Sequence, residues 1–381
     1  MNTFKFVGKI KKLEEKGNRK FIETVNFDSG WMIERVKFRV VCGDCSEFVE
    51  MAGGKWQDDS KNKVLTYFAE NGENSKPKRA EVSWKDRFDP AIIDKVPHYK
   101  RYTVDLSSNK IREDLQEQGR IEEVMQLAQQ KHTFISDYDF AIKVEELLKG
   151  DKFGNDNYVV TGNVEYEYSN KNDQGTYYRK FKPTNIYKAT ESDQVGCFGK
   201  TDFYYTKDDV VGETLENGDI PISGYTQFYD RMSKENFYAP ISLRIKPTNE
   251  KKSGFINMLT QMGDDEAEVL QFGMSIEYYS GSERTEITES DFTDEQKDLI
   301  KWGLYTKEEV IKEMGGNAYG ERVNYIYLLD MARGYSKGPQ VTDIDASRLT
   351  LRPDGKKKDG KSLPNKKIEK IDLFDDDEDI I

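Results

Sequence analysis

A chain of 381 residues has room for two or three domains, and a net charge of −12 excludes a uniformly basic nucleic-acid coat. Hydrophobic residues make up 36% and charged ones 34%, so the chain is polar but not disordered, with 22 Tyr, 20 Phe and 4 Trp to build cores. Three cysteines exclude a disulfide framework and point to a reducing cytoplasm. No apolar run approaches the roughly 18 residues of a membrane span, and the first residues lack the pattern of a signal peptide. Charge is unevenly spread: residues 1–110 carry 22 basic against 17 acidic side chains, and residues 248–340 carry 10 against 18.

Residues 1–106 read as β. Phe4–Ile10 alternates, Phe21–Phe27 follows a charged turn, and Trp31–Val41 sets Val36, Phe38 and Val40 against Arg35, Lys37 and Arg39. A Gly43-Asp44 pair before Cys45–Met51 is a two-residue hairpin signal. Val64–Phe68, Ala80–Trp84 and Tyr99–Val104 complete a set of short strands suited to a small barrel. Residues 110–149 switch to helical period and end at Gly150, giving a first barrel-like domain, 1–149, with a helical insertion. A second β block, 150–247, opens at Tyr158–Val164, which loosely echoes Phe4–Ile10, each with a strand glycine (Gly8, Gly162). Residues 248–339 read as mainly helical, with threonine caps at Thr293 and Thr306. Residues 340–370 form a basic, flexible Gly/Pro-containing linker, and 371–381 an acidic tip.

Catalytic chemistry is thin. Only His98 and His132 are present, and neither sits in a nucleophile motif. Gly199-Lys200-Thr201 lacks the glycine five positions upstream, where Gln194 stands, so no phosphate loop forms. Cys42-Gly-Asp-Cys45 has the spacing of half a zinc site, but Cys197 and two isolated histidines cannot supply the other half, so two cysteines flanking a turn are read as packing. Asp137/Asp139 and Asp343/Asp345 are acid pairs able to attract a divalent cation, without phosphate-gripping neighbours. No enzyme emerges.

What remains is aromatic and basic residues interleaved on strands, the combination a single-strand groove needs: cations for phosphates and ring faces for bases, each stack worth roughly 1–3 kcal/mol. The candidates are Lys9, Lys11, Lys12, Lys20, Trp31, Arg35, Lys37, Arg39, Trp56, Trp84 and Tyr102 in the first block. In the second they are Tyr177, Arg179, Lys180, Lys182, Tyr187 and Lys188. Arg35, Lys37 and Arg39 share one strand face.

The last residues, Phe374-Asp375-Asp376-Asp377-Glu378-Asp379-Ile380-Ile381, place acids between apolar anchors, a peptide suited to a basic, greasy pocket on a partner. This tail resembles the acidic C-terminal tip of bacterial and phage single-stranded DNA-binding proteins, here ending in Ile-Ile with the aromatic placed before the acids. The resemblance implies a mainly β protein with α: one or two oligonucleotide-binding β-barrels, a helical region and a disordered acidic tail. It further implies a large phage-type protein that coats single-stranded DNA during replication or recombination and recruits replication proteins through Phe374–Ile381. Two rivals stand beside it: a tyrosine-rich structural or virion assembly protein, and a metal-dependent nuclease using acid pairs.

Overall fold

The computed structural model describes residues 2–15, 20–69, 76–107, 109–170, 175–207, 210–263, 268–284, 292–307, 309–310, 319–332 and 338–354. Apolar–charged alternation sets the first strands. β1 (Thr3–Lys12) turns Phe4, Phe6 and Ile10 inward and leaves Lys5, Lys9 and Lys11 exposed. The short β2 (Ile22–Asn26) pairs with β3 (Trp31–Cys42), which buries Val36, Phe38 and Val40 and sets its three cations on the opposite face, Arg35 exposed and Lys37 and Arg39 half-buried. The Gly43-Asp44 turn, with Gly43 at φ +66°, closes β3 onto β4 (Cys45–Trp56).

A long excursion follows. β5 (Lys63–Phe68) and β6 (Lys78–Ser83) make a separate two-stranded sheet over a small core of Val64, Val82, Trp84, Val96 and Ile135. β7 (Tyr102–Asp105) pairs with β8 (Lys131–Phe134), a strand lying inside the stretch whose period reads as helical. Then the helix Asp137–Lys149, capped by Ser136, drives Phe140, Ala141, Val144, Leu147 and Leu148 into the core. β9 (Asn157–Ser169) and β10 (Thr176–Lys188) form a long hairpin, and β9 hydrogen-bonds to β1, with Phe4 opposite Gly162 and Gly8 opposite Tyr158. The strand order β4-β3-β1-β9-β10 therefore spans the expected division at residue 150. Tyr158–Val164 is the pairing partner of Phe4–Ile10, not a new beginning.

The second set begins at β11 (Gly196–Tyr205) and continues through β12 (Ile220–Asp230) and β13 (Glu235–Ile245). The helix Lys252–Gln261 leads to β14 (Leu270–Arg284), and β15 (Tyr319–Met331) completes the set. Pairings β11–β12, β12–β13, β13–β15, β15–β14 and β14–β11 close a five-stranded barrel, with β13 and β15 parallel. Residues 248–339 are thus not mainly helical. Among the described residues helices lie over Lys252–Gln261, over Asp294–Lys301, held by the Thr293 capping box, and at 307 and 309–310, where Thr306 caps by accepting from the Glu309 N–H. However, Phe272, Met274, Ile276 and Tyr278 are buried at period two, the strand signal that the helix caps overshadow in the sequence.

Both sets share one order: first strand beside second and fourth, fourth beside fifth, and a helix between third and fourth. That is the arrangement of the oligonucleotide-binding fold, a five-stranded barrel of Greek-key type. In the first set β10 packs beside β4, Lys180 Nζ lying 3.9 Å from Glu50. The sets join where β1 pairs antiparallel with β11, Thr3 opposite Lys200 through Val7 opposite Gly196. Beyond β15, β16 (Gln340–Val341) pairs with β14, and a helical turn over Ala346–Leu349 lays Leu349 on Tyr204, Tyr225, Tyr238 and Val269. This part of the expected flexible linker is ordered.

Two predictions follow from this packing. A Cβ at Gly53 would lie 2.2 Å from the Tyr138 nitrogen, where β4 meets the 137–149 helix. Gly53→Ala should cost about 1–3 kcal/mol in urea denaturation, the range of core overpacking. Burial pushes the Glu34 carboxyl from 4.5 up to about 6, despite the Thr24 hydroxyl donating to it at 2.7 Å. With the folded value above the unfolded one, its stabilising contribution is full below about pH 4.5 and is lost as pH rises through about 6. Relative to Glu34→Gln, the natural chain should lose about 1–2 kcal/mol of stability across that window.

Candidate nucleic-acid interface

The outer face of β1, β3 and β4 carries the predicted cations in register. Lys11 lies opposite Arg39, and Arg39 opposite Phe48, so one row across three strands holds an exposed lysine, a half-buried arginine whose Nε and Nη2 are buried, and a half-buried ring. The Arg39 guanidinium sits 4.8 Å above the Phe48 ring. Lys9, exposed, is opposite Val41 in the next row. Lys37 lies opposite Glu50, with Nζ 3.2 Å from its carboxylate, and Arg35 reaches Glu23 at 3.2 Å. On β10, Lys180 pairs with Glu167 at 2.7 Å and Lys182 with Glu165 at 2.5 Å; Lys188 pairs with Asp156 at 2.6 Å. The face is therefore a checkerboard of ion pairs. Exposed pairs of this kind are worth about 0–1 kcal/mol, so a phosphate can replace the carboxylate at small cost. Lys12, whose partner across the strands is the buried Phe38, and Lys20 are exposed.

Trp31 and Trp56 face each other across β3 and β4 with centroids 5.2 Å apart and planes at 76°, both half-buried. Asn62 fixes that end, accepting from the Trp56 N–H at 2.7 Å and donating to its carbonyl at 2.8 Å.

Other predicted contacts are corrected. Trp84 is buried in the small core of the excursion, with the Arg87 guanidinium 3.9 Å over its ring. Arg179 is buried between Phe181 and Tyr278, at 5.0 and 4.7 Å, and donates to Asn324. Its parity on β10 is that of core residues, which the sequence pattern Tyr-Tyr-Arg-Lys-Phe-Lys obscures. Tyr102 stacks on Phe140 of the helix at 5.3 Å, and burial pushes its phenol up to about 12. Tyr177 packs on Tyr168 and Phe228, and burial pushes its phenol up as well. Tyr187 is half-buried near the end of β10. Residues 374–381 lie outside the described residues.

The acid pairs have local duties. Asp139 holds Arg87 through two bonds of 2.8 and 3.3 Å, and Asp345 caps the Ala346–Leu349 turn by accepting from the Ser347 N–H. Cys42, Cys45 and Cys197 are all buried, with Cys45 Sγ 3.5 Å from Cys197 Sγ. Among the described residues no group of three or more His, Cys, Asp or Glu side chains is placed to hold a metal ion.

A second surface was missed because two of its three strands, β14 and β15, lie in the stretch that reads as helix. On β13, β15 and β14, Arg244 stacks 3.4 Å over Tyr325 and pairs with Asp219 at 3.5 Å. Just past the end of β13, Lys246 lies 4.2 Å over Tyr327 and 2.7 Å from Glu277. Tyr279 and Tyr325 flank Tyr327 at 6.4 and 6.1 Å, completing a cation–tyrosine ladder. The Tyr325-Ile-Tyr-Leu alternation was its available signal. The two surfaces touch. The β3–β4 turn rests on β14, the Asp44 carbonyl lying 2.6 Å from where a Cβ of Gly281 would stand. Cys45 Sγ accepts from the Ser280 N–H at 3.3 Å, and its S–H donates to the Tyr278 carbonyl at 3.4 Å.

In this fold the face of the second and third strands binds oligonucleotides. On the first barrel, that face is the Lys11–Arg39–Phe48 row and its neighbours. On the second barrel it is roofed by the chain itself, through Leu349 on Tyr225 and Tyr238.

No family model matches the chain, and no curated protein matches its sequence. Among solved structures it is similar to the wild-type single-stranded DNA binding protein from Thermus aquaticus, at 8% identity and a TM-score of 0.30, covering 74% of this chain and 86% of that one. A deletion mutant of the same Thermus aquaticus protein gives 7% identity and 0.27, covering 77% and 98%. TM-scores this low carry no argument; the fold rests on the strand order.

The roof is testable. Leu349→Ala should destabilise the protein by about 2–3 kcal/mol in denaturant titration, the cost of a buried leucine truncated in a satellite core.

Proposed function

We propose that this protein binds single-stranded DNA, chiefly across the outer face of β1, β3 and β4, and coats it during phage DNA replication or recombination. The observation that carries this reading is the row Lys11–Arg39–Phe48, which sets phosphate-seeking cations beside a ring on the face where an oligonucleotide-binding barrel takes its ligand. Beyond the turn at Asp44, the half-buried Tyr279 and Tyr325, flanking the buried Tyr327, offer ring edges beside Arg244 and Lys246, so one strand could pass from the first barrel to the second. A duplex reader would need a basic helix for the major groove; the helix Asp137–Lys149 is instead spent on the core.

The test is quenching of intrinsic tryptophan fluorescence by oligo-dT at low and high salt. Trp31 and Trp56 should report binding that weakens as salt rises. Phe48→Ala should weaken it by roughly 1–3 kcal/mol, and Lys11→Gln should lower the salt slope by about one. Trp84→Phe should bind as the natural chain does. Absence of salt-dependent binding to oligo-dT sinks the reading.

The acidic tip, Phe374–Ile381, is proposed to recruit replication or recombination proteins, its acids speeding encounter and its apolar anchors holding the complex. It would also compete with DNA for the basic face at low salt. A chain ending at Pro364 should then bind oligo-dT more tightly than the full chain at low salt, and equal affinity would remove the competition from the account.

A further inference from the structure

The outer face of β7, β8 and the last part of β10 lies beyond both surfaces described above. Pro183 cannot donate to a ladder, and the β9–β10 register shifts between Pro183 and Asn185. The shift buries Ile186 and leaves Asn185 partly exposed. Asn185 then stands beside Thr103 on β7, which is itself opposite Thr133 on β8. This row of an amide and two hydroxyls floors an open cleft of about 340 Å³. Lys131 and Arg101 line it two residues upstream of the threonines, and the His98–Lys100 turn forms a wall. Arg101 is held rigidly: its Nε donates to the Val96 carbonyl at 2.6 Å, its Nη2 to the Asp94 carbonyl at 2.9 Å, and the Asp94 carboxylate lies 3.6 Å away. The Tyr99 ring, 69% exposed, stands at the rim with Lys100 5.8 Å from its centroid. Among the described residues the lining includes no carboxylate, the Asp94 group that pairs with Arg101 lying outside it.

Two fixed-sign cations, an imidazole, two hydroxyls and an amide converge beside one exposed ring. The volume falls at the low end of the roughly 300–1,000 Å³ typical of small-ligand sites. We propose that this cleft binds a nucleotide, its phosphate among Arg101, Lys131 and the threonine hydroxyls and its base against Tyr99. The nucleotide is either part of a strand that continues along β10, past Lys180 and Lys182, or a free mononucleotide. The first alternative rests on the single-strand-binding reading; the second does not.

The experiment is calorimetric titration of the full chain with dTMP and with thymidine, alongside fluorescence-anisotropy titration with labelled oligo-dT. It uses the natural chain, Lys131→Gln, Tyr99→Ala and, as a distant control, Lys301→Gln. Binding of dTMP but not thymidine, weakened tenfold or more by Lys131→Gln and several-fold by Tyr99→Ala, is the expected result. If both variants also weaken oligo-dT, the site takes a nucleotide of the bound strand, and this holds even where dTMP alone is too weak to detect. If oligo-dT is unaffected while dTMP is lost, the site takes a free nucleotide. Should both variants match the natural chain toward dTMP and oligo-dT alike, or dTMP and oligo-dT both fail to bind, the proposal is overturned. Failure of the natural chain to bind oligo-dT at all removes the coating function, and the dTMP titration then decides the cleft by itself.

Discussion

Everything in this molecule hangs on β1, a strand that satisfies two edges for two barrels. One edge pairs with β9; the other pairs with β11 along Thr3–Val7 and with β3 along Lys9–Lys12. A strand edge left open is an aggregation hazard, and along Thr3–Val7 both edges of β1 are paired. The side chains beneath it are aromatic: Phe4 and Phe6 at 4.5 Å, Phe6 and Phe181 at 4.8 Å, Phe181 and Tyr278 at 4.9 Å. That cluster draws on β1, β10 and β14, so it belongs to both barrels. The Cys45 contacts to β14 add a second point of attachment. Because the joint is a continuous sheet and a shared core, the two outer faces keep a fixed relation, which a flexible linker would not provide.

That fixed relation gives the charges their meaning. A net charge of −12 is a poor description of a surface where Lys11 and Arg39 stand beside Phe48 and where the carboxylates are ion-paired partners. Glu23, Glu50, Glu165 and Glu167 hold cations in extended positions while the face is empty. A polyanion that displaces them gains several phosphate contacts at once, and each displaced pair costs little.

The two barrels, alike in strand order, have been put to different use. The first leaves the outer face of its second and third strands open. The second covers the equivalent tyrosines with Leu349 and offers β13, β15 and β14 instead. The covering segment then runs to Asp354, which accepts from the Tyr168 hydroxyl at 2.8 Å on the β9–β10 hairpin. The last described residues are thereby tied to both barrels.

The alternation of Val36, Phe38 and Val40 with Arg35, Lys37 and Arg39 determined by itself both the strand and the face its cations occupy, because a pleated strand has only two sides. The Gly43-Asp44 turn, the Thr293 cap and the aromatic wealth of the core were equally legible, each depending on neighbours within a few residues. Arg179 and Trp84 were not, since whether a cation or a ring faces core or water depends on which side of the strand another element covers. β14 and β15 read as helix because capping signals are local and strong, whereas a strand's partner lies far off in sequence. The pairing of β1 with β9 and β11, the roof over Tyr225 and Tyr238, and the meeting of Asp44 with Gly281 were decided only in three dimensions. They rest on backbone hydrogen bonds and close contacts between residues hundreds of positions apart, and no local pattern encodes a partner at that distance.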